Sequence, residues 1–175
     1  MANVDNPFGF RLVSGSKEIV ELNIDASNAS RLGKGDALKM EADGGYARLA
    51  TGELCAFIID GGFKDSNGQS INYLPASTAG TCNGIKVVPG QIWACQADSG
   101  TALTSAAINA TADIVAGDCS TTTGISVYEL DSSNVGTGQQ VRILGLHKDP
   151  DNSFAEHADL LVEWSENAST SNVSV

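Results

Sequence analysis

The chain has 175 residues, enough for one domain with a hydrophobic core. Hydrophobic residues make up 42% and charged residues only 18%, a composition that favours short strands and tight turns over long helices with ionic faces. The net charge of −11 leaves no basic footprint for nucleic acid or for an anionic membrane, so we expect neither partner.

The first 16 residues show neither a helical nor a strand period. They include Pro7 and two phenylalanines, Phe8 and Phe10. These rings cannot be buried locally, so they either dock on the domain or await a partner. We interpret residues 1–16 as a flexible N-terminal arm. The segment also lacks the charged and apolar regions of a secretory signal, so we expect a cytosolic chain.

In the first half of the chain, apolar and polar residues alternate in short runs separated by turn signals. The predicted strands here are residues 18–24, 36–41, 46–50, 53–60 and 71–74. The run 53–60 is the most apolar, which predicts a central strand covered on both faces. Asp43-Gly44 suits a hairpin turn, and residues 65–68 (Asp-Ser-Asn-Gly) form the clearest turn signal in the chain.

The second half continues the same pattern. The predicted strands here are residues 85–88, 91–97, 125–130, 141–146 and 158–164. Pro89-Gly90 marks a turn, and residues 105–109 predict a short helical turn. Residues 167–175 are rich in Ser, Asn and Thr, which predicts a disordered tail.

About nine or ten short strands at this spacing favour a barrel or a sandwich. We therefore predict a mostly β protein, a single-domain β-barrel or β-sandwich of short antiparallel strands over residues 17–166. It is flanked by the flexible N-terminal arm and the disordered tail.

The cysteines predict neither a metal site nor a disulfide framework. The chain has no C-x-x-C pair among its four cysteines, which are Cys55, Cys82, Cys95 and Cys119. Neither histidine is close to a cysteine in the sequence. Cys55 and Cys95 lie in apolar runs, which is typical of buried, reduced thiols.

No catalytic constellation is recognisable. His147 and His157 flank an Asp-Pro-Asp-Asn turn, but no G-x-S-x-G elbow supplies a nucleophile, so we expect surface or loop-anchoring roles. Asp149 and Asp151 are interpreted as turn residues. The chain has no complete calcium loop and no glycine-rich phosphate loop. Trp93 and Trp164 are predicted to lie in the core or at a subunit contact. We expect no catalytic residue, no cofactor, no metal and no enzymatic activity.

The first eleven residues, Met-Ala-Asn-Val-Asp-Asn-Pro-Phe-Gly-Phe-Arg, resemble the start of the head decoration (cement) proteins of tailed bacteriophages. Further similar segments follow in the same order, at residues 35–39, 72–76, 91–97, 130–133, 141–146 and 149–152. The resemblance implies a structural virion protein on the outer surface of the phage head, assembled in the bacterial cytoplasm. It implies binding to the major capsid protein as a homotrimer at three-fold and local three-fold positions, which stabilises the expanded capsid against internal DNA pressure. The candidate capsid contacts are Asn6, Pro7, Phe8, Phe10 and Arg11.

Two alternatives remain open from the sequence. One is another virion surface or tail adhesion module that binds host glycans, although aromatic residues are only 6% of the chain and are scattered. The other is a small β-fold hydrolase, for which no site is assembled in the sequence.

Overall fold

A computed structural model describes residues 3–165 and shows a β-sandwich of two antiparallel sheets. The predicted fold class is confirmed, and of the two predicted architectures the protein adopts the sandwich. Glu166 and the predicted tail, 167–175, lie outside the described residues. Within the described part of the chain, no helix is long and apolar enough to cross a lipid bilayer.

Within residues 3–165, eleven strands make up the two sheets. In chain order they are β1 (Arg11–Ser14), β2 (Ile19–Ile24), β3 (Ala37–Met40), β4 (Tyr46–Arg48), β5 (Phe57–Asp65), β6 (Gly80–Lys86), β7 (Ile92–Gln96), β8 (Thr111–Val115), β9 (Glu129–Gly136), β10 (Val141–Leu146) and β11 (Asp159–Trp164). The six-stranded sheet has the order β1-β7-β11-β10-β8-β9, and the five-stranded sheet has the order β2-β6-β5-β3-β4. A 3₁₀ turn at Ser105–Ala107 confirms the predicted helical turn.

The five-stranded sheet is buried on both faces at its centre. Along β5, Ile58 enters the main core between the two sheets, whereas Phe57 and Ile59 enter a second, smaller core on the opposite face. Leu32 and Leu74 close this smaller core, and each donates a backbone hydrogen bond of 2.9 Å to the other. The sheet order therefore confirms a central strand covered on both faces at residues 57–59, although the strand spans Phe57–Asp65 rather than the predicted residues 53–60.

Two glycines interrupt the ladder of β5. The pairing with β6 shifts register between Ile59 and Gly61, and again between Gly61 and Lys64. Gly61 and Gly62 have positive φ angles of 118° and 68°, a conformation that glycine adopts without steric cost. The second half of β5 thus bends away from a regular ladder, as strands do at bulges.

The N-terminal segment, by which we mean residues 3–14, differs from the predicted flexible arm of residues 1–16. Arg11–Ser14 forms the edge strand β1 and pairs with β7, so the domain begins before residue 17. Phe10 is only 3% exposed, and its ring centroid lies 4.7 Å from that of Trp164. Burying a phenylalanine stabilises a fold by about 1.5–3 kcal/mol, which explains why the segment before β1 docks on the domain.

Three further elements differ from the prediction. Strand β8 lies in Ala-rich sequence that predicts no strand. Strand β9 spans Glu129–Gly136 rather than the predicted residues 125–130, so it runs through polar residues predicted as a loop. Residues 71–74 form an isolated bridge at Leu74 rather than a strand. The predicted turn at Pro89-Gly90 is confirmed, and it carries the chain from β6 in one sheet to β7 in the other. The elements that differ from the prediction depend on tertiary pairing, which local sequence does not encode.

The predicted turn at residues 65–68 is confirmed. The Asp65 carboxylate accepts hydrogen bonds of 2.9 Å from the backbone amides of Asn67 and Gln69, and Gly68 has a φ of 78°. All four cysteines are buried and free, and both tryptophans belong to the main core. The predicted burial of Cys55, Cys95, Trp93 and Trp164 is therefore confirmed.

Candidate functional site

A groove of about 400 Å³ lies between the N-terminal segment and the five-stranded sheet. We call it the N-terminal groove. Its apolar lining includes Phe8, Leu12 and Ile125. Ile125 is 40% exposed, so part of this apolar surface is open to solvent. Such a surface is suited to receive an apolar group of a partner.

Two glycines allow the N-terminal segment to lie directly on the loop before β3. A Cβ atom at Gly9 would come within 2.5 Å of the Gly35 carbonyl oxygen, and a Cβ at Gly35 within 2.5 Å of the Phe8 carbonyl oxygen. The Phe10 amide donates a hydrogen bond of 2.9 Å to the same Gly35 oxygen. This close backbone contact fixes Phe8 at the wall of the groove.

The rim of the groove is basic, although the whole chain is acidic. Arg11, Lys17 and Lys34 line it together with one carboxylate, Asp60. Asp60 lies 3.0 Å from the Lys17 Nζ and 4.0 Å from the Lys34 Nζ. The Arg11 guanidinium lies 4.8 Å from the centre of the Phe8 ring, a cation–π arrangement. Three cations against one anion favour a partner that carries negative charge beside an apolar side chain.

The predicted contact residues have different positions in the structure. Phe8 is half-buried and Arg11 is exposed, and both line the groove. Asn6 is exposed and its amide donates a hydrogen bond of 2.9 Å to Gln96, while Pro7 is half-buried beside it. Phe10 is buried in the core, so it supports the segment and is not available as a surface contact.

Apart from the glycines that flank Lys34, nothing in the local sequence marks Lys17, Lys34 and Asp60 as members of this site. Lys17 follows β1, Lys34 lies in the loop before β3, and Asp60 lies within β5. These residues meet Phe8 and Arg11 only after the two sheets pack together. The Gly-Lys-Gly triplet around Lys34 was the one local signal, because paired glycines permit close backbone approach.

The histidines do not assemble a hydrolase site within residues 3–165. The His147 Nδ1 lies 2.7 Å from the Asp149 Oδ2, but no serine or cysteine side chain in that range hydrogen-bonds either imidazole. The His147 amide donates a hydrogen bond of 2.9 Å to Asp159, and its carbonyl accepts one of 2.9 Å from Asn152. The backbone of His147 therefore holds its turn against Asp159, the first residue of β11.

The thiols are not activated as nucleophiles. Burial raises the pKa of Cys82 to about 12 and that of Cys119 to about 11. Burial also raises the pKa of Cys55 and that of Cys95 well above the ordinary value. A reactive cysteine needs the opposite shift, toward a thiolate at neutral pH. These four side chains act as small buried hydrophobes.

Comparisons of the chain with protein-family models, with curated proteins and with solved structures give no match. We therefore infer the function from the geometry of the N-terminal groove and from the sequence of the segment that forms its wall.

Proposed function

We propose that this protein is a head decoration protein of a tailed bacteriophage that binds the outside of the expanded capsid through the N-terminal groove. One observation carries the proposal: the opening segment, in which the sequence resemblance begins, forms a wall of the basic and apolar groove through Phe8 and Arg11. Sequence resemblance and surface chemistry thus converge on one face. In this proposal the partner is the major capsid protein, and the protein resides on the outer surface of the phage head.

The chemistry of the groove defines the partner segment. Arg11, Lys17 and Lys34 suit an acidic residue, and the apolar lining suits a neighbouring aliphatic or aromatic side chain. Strand β1 is the edge strand of its sheet, so an extended segment could pair with its free side by β-augmentation. We therefore propose that an extended, acidic and apolar segment of the capsid protein binds here.

A trimer would strengthen this contact without enlarging it. A three-fold ring presents three copies of one groove, and linked sites raise the overall avidity above the affinity of each site. We therefore propose homotrimers at three-fold and local three-fold positions. A reconstruction of decorated capsids tests this arrangement directly: density for isolated monomers at other positions would contradict it.

A structural role accounts for the remaining features of the chain. The thiols are buried with raised pKa values, and no serine or cysteine within residues 3–165 is hydrogen-bonded to the His147 imidazole. The glycan-binding alternative needs exposed aromatic platforms, but Trp93 and Trp164 are 0% and 3% exposed. The proposal therefore assigns no catalysis and no cofactor to the protein.

A charge-reversal pair tests the proposal. Lys34→Glu changes the groove rim, whereas Lys148→Glu makes the same charge change at an exposed residue outside the groove lining. We expect Lys34→Glu to weaken binding to undecorated expanded capsids by about tenfold or more, equivalent to about 1.4 kcal/mol. Lys148→Glu should bind like the wild type.

Binding is measured by co-sedimentation over a range of protein concentrations, with unfolding midpoints recorded for each variant. Failure of the wild-type protein to bind expanded capsids would overturn the proposed function. Equal weakening by both variants would show that net charge, rather than the groove, controls attachment.

A further inference from the structure

We propose that Asp5, Glu129 and His157 form a binding site for a divalent transition-metal ion of the zinc type. The three residues come from separate segments: the N-terminal segment, the first position of β9 and the loop before β11. One ligand atom from each lies within 4.8 Å of the other two. The spacing in the sequence gives no hint of this cluster, because the fold alone brings the three residues together.

Two atoms of the cluster are buried without a hydrogen-bond partner among the described residues. They are the His157 Nδ1 and the Glu129 Oε1. The neighbouring carboxylate of Asp98 is different, because its Oδ1 accepts hydrogen bonds of 3.0 Å from the amides of Gly100 and Ser132. Buried polar atoms are rarely left without a partner in folded proteins. A metal ion that accepts a lone pair from both atoms would satisfy them together.

The donor set selects the class of ion. One imidazole nitrogen with two carboxylate oxygens suits Zn²⁺ or another first-row divalent ion, whereas Ca²⁺ and Mg²⁺ prefer oxygen ligands alone. Bonds of about 2 Å place donor atoms about 3–4 Å apart on one zinc ion. The His157 Nδ1 and Asp5 Oδ1 are already 3.7 Å apart.

The exposure of the three side chains fits a site that is open on one side. The Asp5 side chain is 66% exposed, so it can turn toward the ion without repacking the core. The His157 side chain is only 18% exposed, so its position is more restricted than that of Asp5. Solvent on the Asp5 side would supply the remaining ligand as water, as in open zinc sites.

An ion at this site would link the N-terminal segment to the rest of the domain. The segment is already held there by the Asn3 side chain, which donates hydrogen bonds of 2.9 Å to the carbonyl oxygens of Ser153 and Glu156. Gln96 donates a further bond of 3.0 Å to the Val4 carbonyl oxygen. Metal bonds through Asp5 would add to these contacts and slow hydrogen exchange of the backbone amides in this segment.

Calorimetric titration of the untagged full chain with zinc chloride tests the proposal. We expect one zinc ion to bind per chain, and Asp5→Asn, Glu129→Gln and His157→Asn each to weaken binding by about tenfold or more, because even partners outside the ligand shell contribute about 10–100-fold. Asparagine is chosen at position 157 because the φ of His157 is 53°, a conformation that asparagine tolerates. The matched control, His147→Asn, removes a histidine outside the cluster and should bind zinc like the wild type.

Asp5 is exposed, so we expect the Asp5→Asn variant to fold. It keeps the test valid if circular dichroism shows that the Glu129→Gln or the His157→Asn variant does not fold. Hydrogen exchange with and without zinc provides a second readout: protection of the N-terminal segment should increase in the wild type and not in Asp5→Asn. Absence of zinc binding by the wild type overturns the proposal. So does zinc binding that survives in Asp5→Asn but is lost in His147→Asn. Equal binding of Ca²⁺ would overturn the assignment to a transition metal.

Discussion

Asp36 offers the sharpest test of the energetics of this fold. Its side chain is fully buried, and its Oδ2 accepts a hydrogen bond of 2.7 Å from the Gly33 amide. Burial raises the pKa of Asp36 from 3.8 to about 7, although the Ser126 hydroxyl, the Gly33 amide and the charge of Arg48 act in the opposite direction. The folded protein therefore keeps this proton at pH values at which the unfolded chain has lost it. We predict that Asp36→Asn, which cannot ionise, stabilises the protein at neutral and alkaline pH.

The magnitude follows from the shift in pKa. Below the unfolded pKa of 3.8, Asp36 is protonated in both states and destabilises neither. Between 3.8 and about 7 the unfolded chain binds fewer protons than the folded protein, so stability falls as the pH rises. At about 1.4 kcal/mol per pKa unit, the loss is about 1.7 kcal/mol at pH 5 and about 4 kcal/mol at pH 8. Asparagine still accepts the Gly33 bond through its carbonyl oxygen, so the variant should recover this free energy of unfolding.

Urea titrations at pH 5, 6, 7 and 8, followed by the fluorescence of the two buried tryptophans, measure the difference between variant and wild type. The difference should grow with pH and level off above about pH 7, the folded pKa of Asp36. The control is Asp151→Asn, on an exposed turn, which should change the free energy of unfolding by no more than about 0.5 kcal/mol at each pH. A difference that does not vary with pH, or an Asp36→Asn variant less stable than the wild type at pH 8, would refute the reasoning.

Three further predictions concern the N-terminal segment and the thiols. Phe10→Ala should lower the free energy of unfolding by about 3–5 kcal/mol in urea titrations, because it leaves a cavity in the main core; a loss below about 1 kcal/mol would contradict the docked segment. Gly9→Ala should lower the thermal midpoint more than Gly44→Ala, since both have positive φ but only a Cβ at Gly9 would meet other atoms. The four cysteines should resist a thiol reagent in the native protein and all react after unfolding; rapid labelling of the native protein would contradict their burial.

The sequence predicts the strands whose side chains alternate between core and solvent. Strand β10 lies at the predicted residues, 141–146, and β11 alternates between half-buried and buried positions along its whole length. Strand β1 has only four residues, three of them exposed, which is too short to show a period. Its place in the sheet depends on pairing with β7, about 80 residues away in the chain, and such pairing is not readable from local residues.

The same distinction applies to the sites. Phe8 and Arg11 could be predicted as contacts because they are neighbours in a segment with a recognisable sequence. Lys34 and Asp60 joined them only through the packing of the loop before β3 and of β5 against the N-terminal segment. The three residues of the proposed metal site are still farther apart in the chain, so no motif with fixed spacing could reveal them.

The two glycines in β5 have a consequence for how this strand finds its alignment during folding. A strand with one solvent-exposed face takes its register from its hydrophobic pattern. A register shift of one residue would move every apolar side chain from the core to solvent. Strand β5 is different, because three consecutive residues are buried: Phe57, Ile58 and Ile59. A register shift of one residue in β5 would move these side chains from one core to the other and would expose none of the three. The bend at Gly61 and Gly62 supplies the missing constraint, since only one alignment places residues without a Cβ at the positive φ angles. A single-residue insertion before Gly61 should therefore preserve the burial of apolar surface yet produce a misassembled sandwich.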